Sequence, residues 1–240
     1  MRPAASIRRE AALFRRALRG YDGGMAWLDR RSSSRQAGLD RELRRAAAHL
    51  KSRDPVVAEL VRRFGPYDLH ATTNAFQVML ETIVSQQLST HAARSIYARL
   101  AAAMGGGRPR PAGILELSPD ELIACGLSRS KAVYVRNVAE DFSRERVTLR
   151  SFANMSDDEV IARLTAIKGV GDWSAHMFLI FALNRLDVFP VGDLGLRKAM
   201  ASRYRLRRGT KPARLERIAE SWRPYRTVGT LYLWRGYDGV

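Results

Sequence analysis

Residues 164–198, LTAIKGVGDWSAHMFLIFALNRLDVFPVGDLGLRK, constrain this chain more than any other stretch, because so few backbone geometries satisfy them. Gly169 and Gly171 flank Val170 and permit a turn that most side chains would obstruct. A helix end precedes the turn and an apolar-periodic run follows at once, so the pattern predicts helix, tight hairpin, helix. After about three helical turns the periodicity breaks at residues 187–192, where Pro190 and Gly192 mark a loop, and Asp193 opens another helix. A helix starting directly behind a hairpin points its first, unbonded amides outward. Such amides suit a phosphate.

Similar punctuation runs through the rest of the chain and predicts an all-α protein, with no β-strand signal of weight. Residues 39–50 and 55–64 read as helices ended by Gly65-Pro66. Residues 75–88 and 91–104 are two strong helical segments joined by Ser85-Gln86-Gln87-Leu88-Ser89, and polar residues at such a junction are unusual for core. Ser89 before an apolar run also makes an ordinary helix cap. Residues 105–111 form a Gly-rich connection, followed by short helices at 114–117 and from Ser118-Pro119 to Cys125. Residues 129–142 are amphipathic, with Val133, Tyr134, Val138 and Phe142 on one stripe. Ser156-Asp157-Asp158-Glu159 caps the helix that leads into the hairpin.

Charge narrows the function. The net charge is +17 over 240 residues, with a pI near 11.0. It is concentrated: residues 1–53 carry 14 Lys/Arg against 5 Asp/Glu, residues 197–226 carry 11 against 2, and residues 54–196 are nearly balanced at 15 against 16. An Arg-rich run is often only a solvated surface, but two concentrated blocks favour a polyanion. With 46% hydrophobic residues, the chain belongs with globular proteins. No apolar run reaches membrane-spanning length, and the Arg-studded start lacks the apolar centre of a signal peptide. The single Cys125 excludes a disulfide framework, a Cys-rich zinc site and a cluster held by four cysteines. His49, His70, His91 and His176 show no metal-ligand spacing.

Hairpin, following helix and the Gly/Pro-bounded Asp193 together resemble the helix-hairpin-helix (HhH-GPD) DNA glycosylase superfamily, over about residues 54–234. The resemblance implies an all-α, two-lobed helical bundle with a catalytic aspartate at Asp193. It also implies a wedge at Gln86 and Gln87, which enters the gap left by an extruded base, and a phosphate grip at Lys168, Gly169, Val170, Gly171 and Asp172. Main-chain carbonyls of Thr165, Ile167 and Val170 would hold a monovalent cation, Na or K, with no other cofactor. Lys168 stands where the family commonly has proline. The iron–sulfur branch is excluded by the cysteine count.

Trp173 occupies the place where bifunctional relatives carry a Schiff-base lysine, and no lysine lies between Lys168 and Lys198, so strand cleavage by an amine is not expected. Trp173 stands twenty residues before Asp193. In that spacing the chain resembles the bacterial alkylation-repair branch, the type II 3-methyladenine DNA glycosylases. By the same resemblance Trp173, Met177 and Trp234 line the base-binding pocket. Each also has a plainer reading: Trp173 packing the hairpin helix onto its neighbour, Trp234 anchoring the terminal helix, and Asp193 capping the helix that follows it.

The expected organisation is a basic, mobile extension over residues 1–53 and a glycosylase domain over 54–240. One lobe spans about 74–185, and the other is made of 54–73 with 186–240. A DNA-facing cleft would lie between them. The expected activity is removal of 3-methyladenine or 7-methylguanine from double-stranded DNA by a cytoplasmic, nucleoid-associated monomer without membrane contact. The alternatives are a glycosylase for uncharged or mispaired bases, and a non-catalytic DNA-binding protein that uses the hairpin only as a grip.

Overall fold

The structure is a computed structural model and describes residues 33–237 apart from 68, 73, 89, 145, 146 and 208. In chain order its α-helices are α1 (Ser33–Arg53), α2 (Pro55–Phe64), α3 (Ala75–Ser85), α4 (Thr90–Ala103), α5 (Pro111–Leu115), α6 (Pro119–Ala124), α7 (Arg129–Arg144), α8 (Asp157–Thr165), α9 (Asp172–Phe181), α10 (Leu194–Arg203), α11 (Pro212–Ala219) and α12 (Arg226–Tyr237). Two 3-10 turns, Leu149–Phe152 and Glu220–Trp222, complete them. The described residues contain no strand. None of their helices is long and apolar enough to cross a membrane.

Several boundaries follow from residues a few positions apart. Ser118 and Ser156 each accept a hydrogen bond from the backbone N–H of Glu121 or Glu159, and each glutamate returns to the serine N–H, forming a capping box at each helix start. Residues 1–32 of the expected extension and the Ser89 cap lie outside the described residues.

The chain divides into two compact units. One joins the described residues up to 71 with those from 184 onward. At its centre is α12, of which residues 227–234 and Gly236 are all buried, and α1, α2 and α10 pack against it. Helix α1 contributes Leu39, Leu43, Ala46, Ala47 and Leu50, a helical stripe of buried side chains. Packing thus begins well before residue 54. The expected boundary at 53 marks the end of a core helix rather than the end of a mobile extension. Asp54 caps α2 from a buried position: Oδ1 accepts from the amides of Val56 and Val57, and Oδ2 from Tyr204 Oη at 2.7 Å and Trp222 Nε1 at 2.9 Å. Four donors offset the cost of burying that carboxylate.

The other unit spans residues 72–183. Its central helix, α9, packs on α3 and α8, while α3 also meets α4 and α7, and α7 meets α5 and α6. Phe76, Phe142, Phe152 and Phe178 interlock edge to face or tilted, with centroids 5.0–6.4 Å apart. The buried stripe of α7 is Ala132, Val135, Val138, Ala139 and Phe142. Val133, expected on that stripe, is 48% exposed. Its place is taken by Val135, which lies seven residues before Phe142 and so on the same face.

Candidate active site

Asp193 closes the Gly/Pro loop and caps α10. Its amide donates to the Pro190 carbonyl at 2.8 Å, and its Oδ1 accepts from the Leu196 amide at 2.5 Å. The same Oδ1 accepts from Trp234 Nε1 at 2.8 Å, and the residue is only 7% exposed. As the N-cap of α10, Asp193 satisfies an amide that has no partner within the helix.

The approach to Asp193 is fastened to the start of α12. Thr227 Oγ1 donates to the Arg185 carbonyl at 2.7 Å and accepts from the Val188 amide at 2.9 Å, and the Thr227 amide donates to the Leu186 carbonyl. Asp187 accepts from Arg226 Nε at 2.8 Å and from Arg223 at 2.7 Å. One helix therefore controls the carboxylate twice, through Thr227 at its start and Trp234 two turns later. Trp234 is 2% exposed, so it acts as the partner of Asp193, and the base-binding wall expected of it has no surface to offer.

In the other unit, α3 ends at Ser85 and the polar junction turns sharply. Gln86 leaves helical geometry at φ −49°, ψ 124°, Gln87 takes φ +57°, and the Leu88 amide donates to the Ser85 carbonyl. A non-glycine residue with positive φ is uncommon, and here it places the exposed Gln87 at the tip of the loop. Gln86 is half-buried and donates through Nε2 to Ser174 Oγ at 3.0 Å, which ties the loop to α9 beside Trp173.

The hairpin runs from the end of α8 to Gly171, the N-cap of α9. The Val170 amide donates to the Ile167 carbonyl at 3.0 Å and closes the turn. Gly169 has φ +103°, and a Cβ there would come 2.2 Å from Tyr134 Cγ, so no other residue fits. Gly171 differs: a Cβ would meet nothing within 4 Å. The fold itself therefore does not require glycine there. Lys168, Gly171 and Asp172 are exposed, while Val170 is buried beneath them.

Trp173 is half-buried in the first turn of α9. Met177, one turn on, is 1% exposed and belongs to the core of its unit rather than to an open pocket. His176 on the same helix is desolvated, which pulls its pKa below the usual value despite Asp172 and Asp157 nearby. The turn carbonyls of Thr165, Ile167 and Val170 are neutral oxygen donors, the chemistry a monovalent cation accepts, and the Ile167 oxygen uses one lone pair on Val170. Among the described residues, no group of three or more His, Cys, Asp or Glu could hold a metal ion. Asp193 and Trp234 meet in one unit, and Gln86, Ser174 and the hairpin share the other. The sequence reading missed Thr227, Arg226 and the Trp234–Asp193 bond, whose partners lie about forty residues apart.

A family profile described as HhH-GPD superfamily base excision DNA repair protein matches residues 80–224. The alkylbase DNA glycosidase-like protein mag2 of Schizosaccharomyces pombe is 31% identical over 201 residues, covering 82% of this chain and 94% of its own. DNA-3-methyladenine glycosylase 1 of the same yeast is 31% identical over 198 residues, covering 80% and 87%. Among solved structures, the 3-methyladenine DNA glycosylase Mag1 of that yeast, in complex with abasic DNA, matches with a TM-score of 0.73 at 32% identity, covering 80% of this chain and 95% of that one. DNA-3-methyladenine glycosidase from Bacillus halodurans gives 0.70 at 34%, covering 80% and 88%.

Proposed function

The chain belongs to the HhH-GPD superfamily of base excision DNA repair proteins, and from that premise we propose that it is a monofunctional DNA glycosylase releasing alkylated purines from duplex DNA. It is an N-glycosidic hydrolase, as the relatives named 3-methyladenine DNA glycosylases indicate. The observation that carries the site assignment is the buried carboxylate of Asp193, fixed through Oδ1 by one indole and one backbone amide.

The damaged nucleotide is extruded from the duplex at a cost of a few kcal/mol, least where pairing is already weakened. Gln87 fills the gap, and Gln86 supports the loop from behind. Lys168, Gly169, Gly171 and Asp172 present backbone amides to a phosphate, and Gly171 lets that phosphate approach closely. The buried Val170 spends its amide on the Ile167 carbonyl and shapes the turn instead. Thr165, Ile167 and Val170 would hold a monovalent cation at the turn, which would add positive charge beside the phosphate. Trp173 stacks on the extruded base. Its π-face favours a cationic purine such as 3-methyladenine or 7-methylguanine by about 1–2 kcal/mol when desolvated.

The N-glycosidic bond then breaks and its electron pair leaves with the base, which departs neutral and needs no general acid. Asp193 stabilises the positive charge that develops on the sugar, and its effect is greatest where water is excluded. Water attacks C1′, and its proton passes to the carboxylate. The product is an abasic site with an intact strand, since α9 offers no lysine to form a Schiff base.

Release of free base from methylated duplex, compared between the wild type and Asp193→Asn at equal DNA occupancy, tests the assignment. Release of 3-methyladenine or 7-methylguanine should fall by about 100-fold or more in the mutant, with binding kept. Binding without release by either protein would remove the alkylation reading, and a panel of uncharged lesions would then separate another glycosylase from a binding module.

A further inference from the structure

Helix α7 supplies none of the residues assigned above, yet three of its side chains hold both turns that carry them. Near its start, Lys131 Nζ donates to the Val84 carbonyl at 2.7 Å and to the Gln86 carbonyl at 2.5 Å. One turn on, Tyr134 lies under Gly169 so closely that no Cβ fits between them. A further turn on, Asn137 Nδ2 donates to the Lys168 carbonyl at 3.0 Å. Residues 131, 134 and 137 follow one strip of the helix, about 9 Å from first to last.

The Lys131 contacts have a clear physical cause. The last carbonyls of a helix have no intrahelical partner and carry the negative end of its dipole. At the end of α3 the chain leaves helical geometry at Gln86 and turns over at Gln87, so the carbonyls of Val84 and Gln86 need a donor from elsewhere. A half-buried ammonium serves both. Desolvation lowers its pKa to about 8, with no carboxylate contributing to the shift. This lysine is therefore kept in a costly place by two backbone oxygens of the loop.

We propose that Lys131 is a positioning residue for the wedge loop, and that α7 sets the loop's distance from the hairpin turn. This rests on the glycosylase reading. If Gln87 extrudes a nucleotide whose backbone the hairpin grips, the spacing between the two turns decides whether extrusion and grip act on the same strand in register. Lys131 fixes one end of that spacing, and Tyr134 with Asn137 fixes the other.

The variants are Lys131→Met, which keeps length without donors, Lys131→Arg, which keeps charge and donors, and Asn137→Ala. Four quantities are measured: amide hydrogen exchange of residues 86–88 in the free protein, 2-aminopurine fluorescence beside the lesion as a report of extrusion, affinity for undamaged duplex, and single-turnover base release. For Lys131→Met, exchange at 86–88 should speed up about tenfold or more, and extrusion and release should fall by a similar factor. Undamaged-duplex affinity should stay within about twofold, and Lys131→Arg should recover part of the loss. Asn137→Ala should weaken undamaged-duplex binding and leave exchange at 86–88 unchanged.

Unchanged exchange in Lys131→Met overturns the proposal, as does extrusion at the wild-type level. Equal losses in undamaged binding and in extrusion would make Lys131 a phosphate contact and overturn it too. If the wild type releases no base, the glycosylase reading fails, while exchange at 86–88 still decides whether Lys131 holds the loop. Should Lys131→Met not fold, Lys131→Gln, with one donor left, takes its place in the same measurements.

Discussion

Trp234 does its work through a single atom. Its Nε1–H reaches Asp193 Oδ1 at 2.8 Å where both side chains are buried. Hydrogen bonds to charged groups contribute about 1.5–3 kcal/mol, and the carboxylate would lose one of the donors that fix its direction. Trp234→Phe keeps most of the packing and removes the donor. Base release in single turnover should fall by about tenfold or more, and equal binding of wild type and mutant to abasic DNA would confirm that the loss lies in the carboxylate.

The two hairpin glycines offer a paired test at the same scale. Gly169→Ala forces a Cβ into Tyr134 and a side chain into positive φ, so it should cost about 2–5 kcal/mol in unfolding measured by denaturant. Gly171→Ala meets only open space at ordinary φ and should leave stability within about 0.5 kcal/mol. Its DNA affinity should nevertheless drop, because the methyl group stands where a phosphate would come. Equal affinity of Gly171→Ala and wild type would place the phosphate elsewhere.

Among the elements, α3 holds a carboxyl group that the proposed chemistry does not use. Glu81 accepts from Gln77 Nε2 through Oε1 at 2.9 Å, and its Oε2 is buried. Desolvation raises its pKa from 4.5 to about 7, against the opposing effects of Gln77 and Tyr97. An acid whose folded-state pKa lies above its unfolded value binds its proton more tightly when folded. The stability it contributes is therefore greatest below pH 4.5 and is lost as the pH rises to about 7. The loss should be on the order of 2 kcal/mol, allowing for the surface that the residue's stem retains. The melting temperature of the wild type should fall between pH 5 and 8, and that of Glu81→Gln should change less over the same range. Parallel curves would show that Glu81 is ionised throughout.

For the whole molecule, the charge of +17 makes salt the natural variable. Arg205, Arg207, Lys211, Arg214 and Arg217 are all exposed in the stretch that follows Asp193. If two of them contact phosphates, Arg214→Gln with Arg217→Gln should reduce the slope of log affinity against log salt by about 2. Fluorescence anisotropy at four or five salt concentrations would measure it. An unchanged slope would assign those arginines to a solvated face.

Whatever is built from neighbours along the chain is legible in the order of residues alone. The capping boxes at Ser118 and Ser156, the Asp193 cap and the hairpin bounded by Gly169 and Gly171 are each closed by residues a few positions apart, so their patterns were legible. Hydrophobic period did the same for most helices, and it misled where one turn could be read in two registers, as at Val133. Pairings between residues far apart along the chain are set by how the helices pack. The indole of Trp234 reaches across 41 residues to Asp193, Lys131 across 45 to Gln86, and Trp222 across 168 to Asp54. The same packing gave Met177 to the core and residues 39–50 to the unit that holds Asp193. A side chain's chemistry states what it can bond. Its partner is settled only when helices pack and bring one donor, among many possible, within 3 Å of a buried oxygen that requires it.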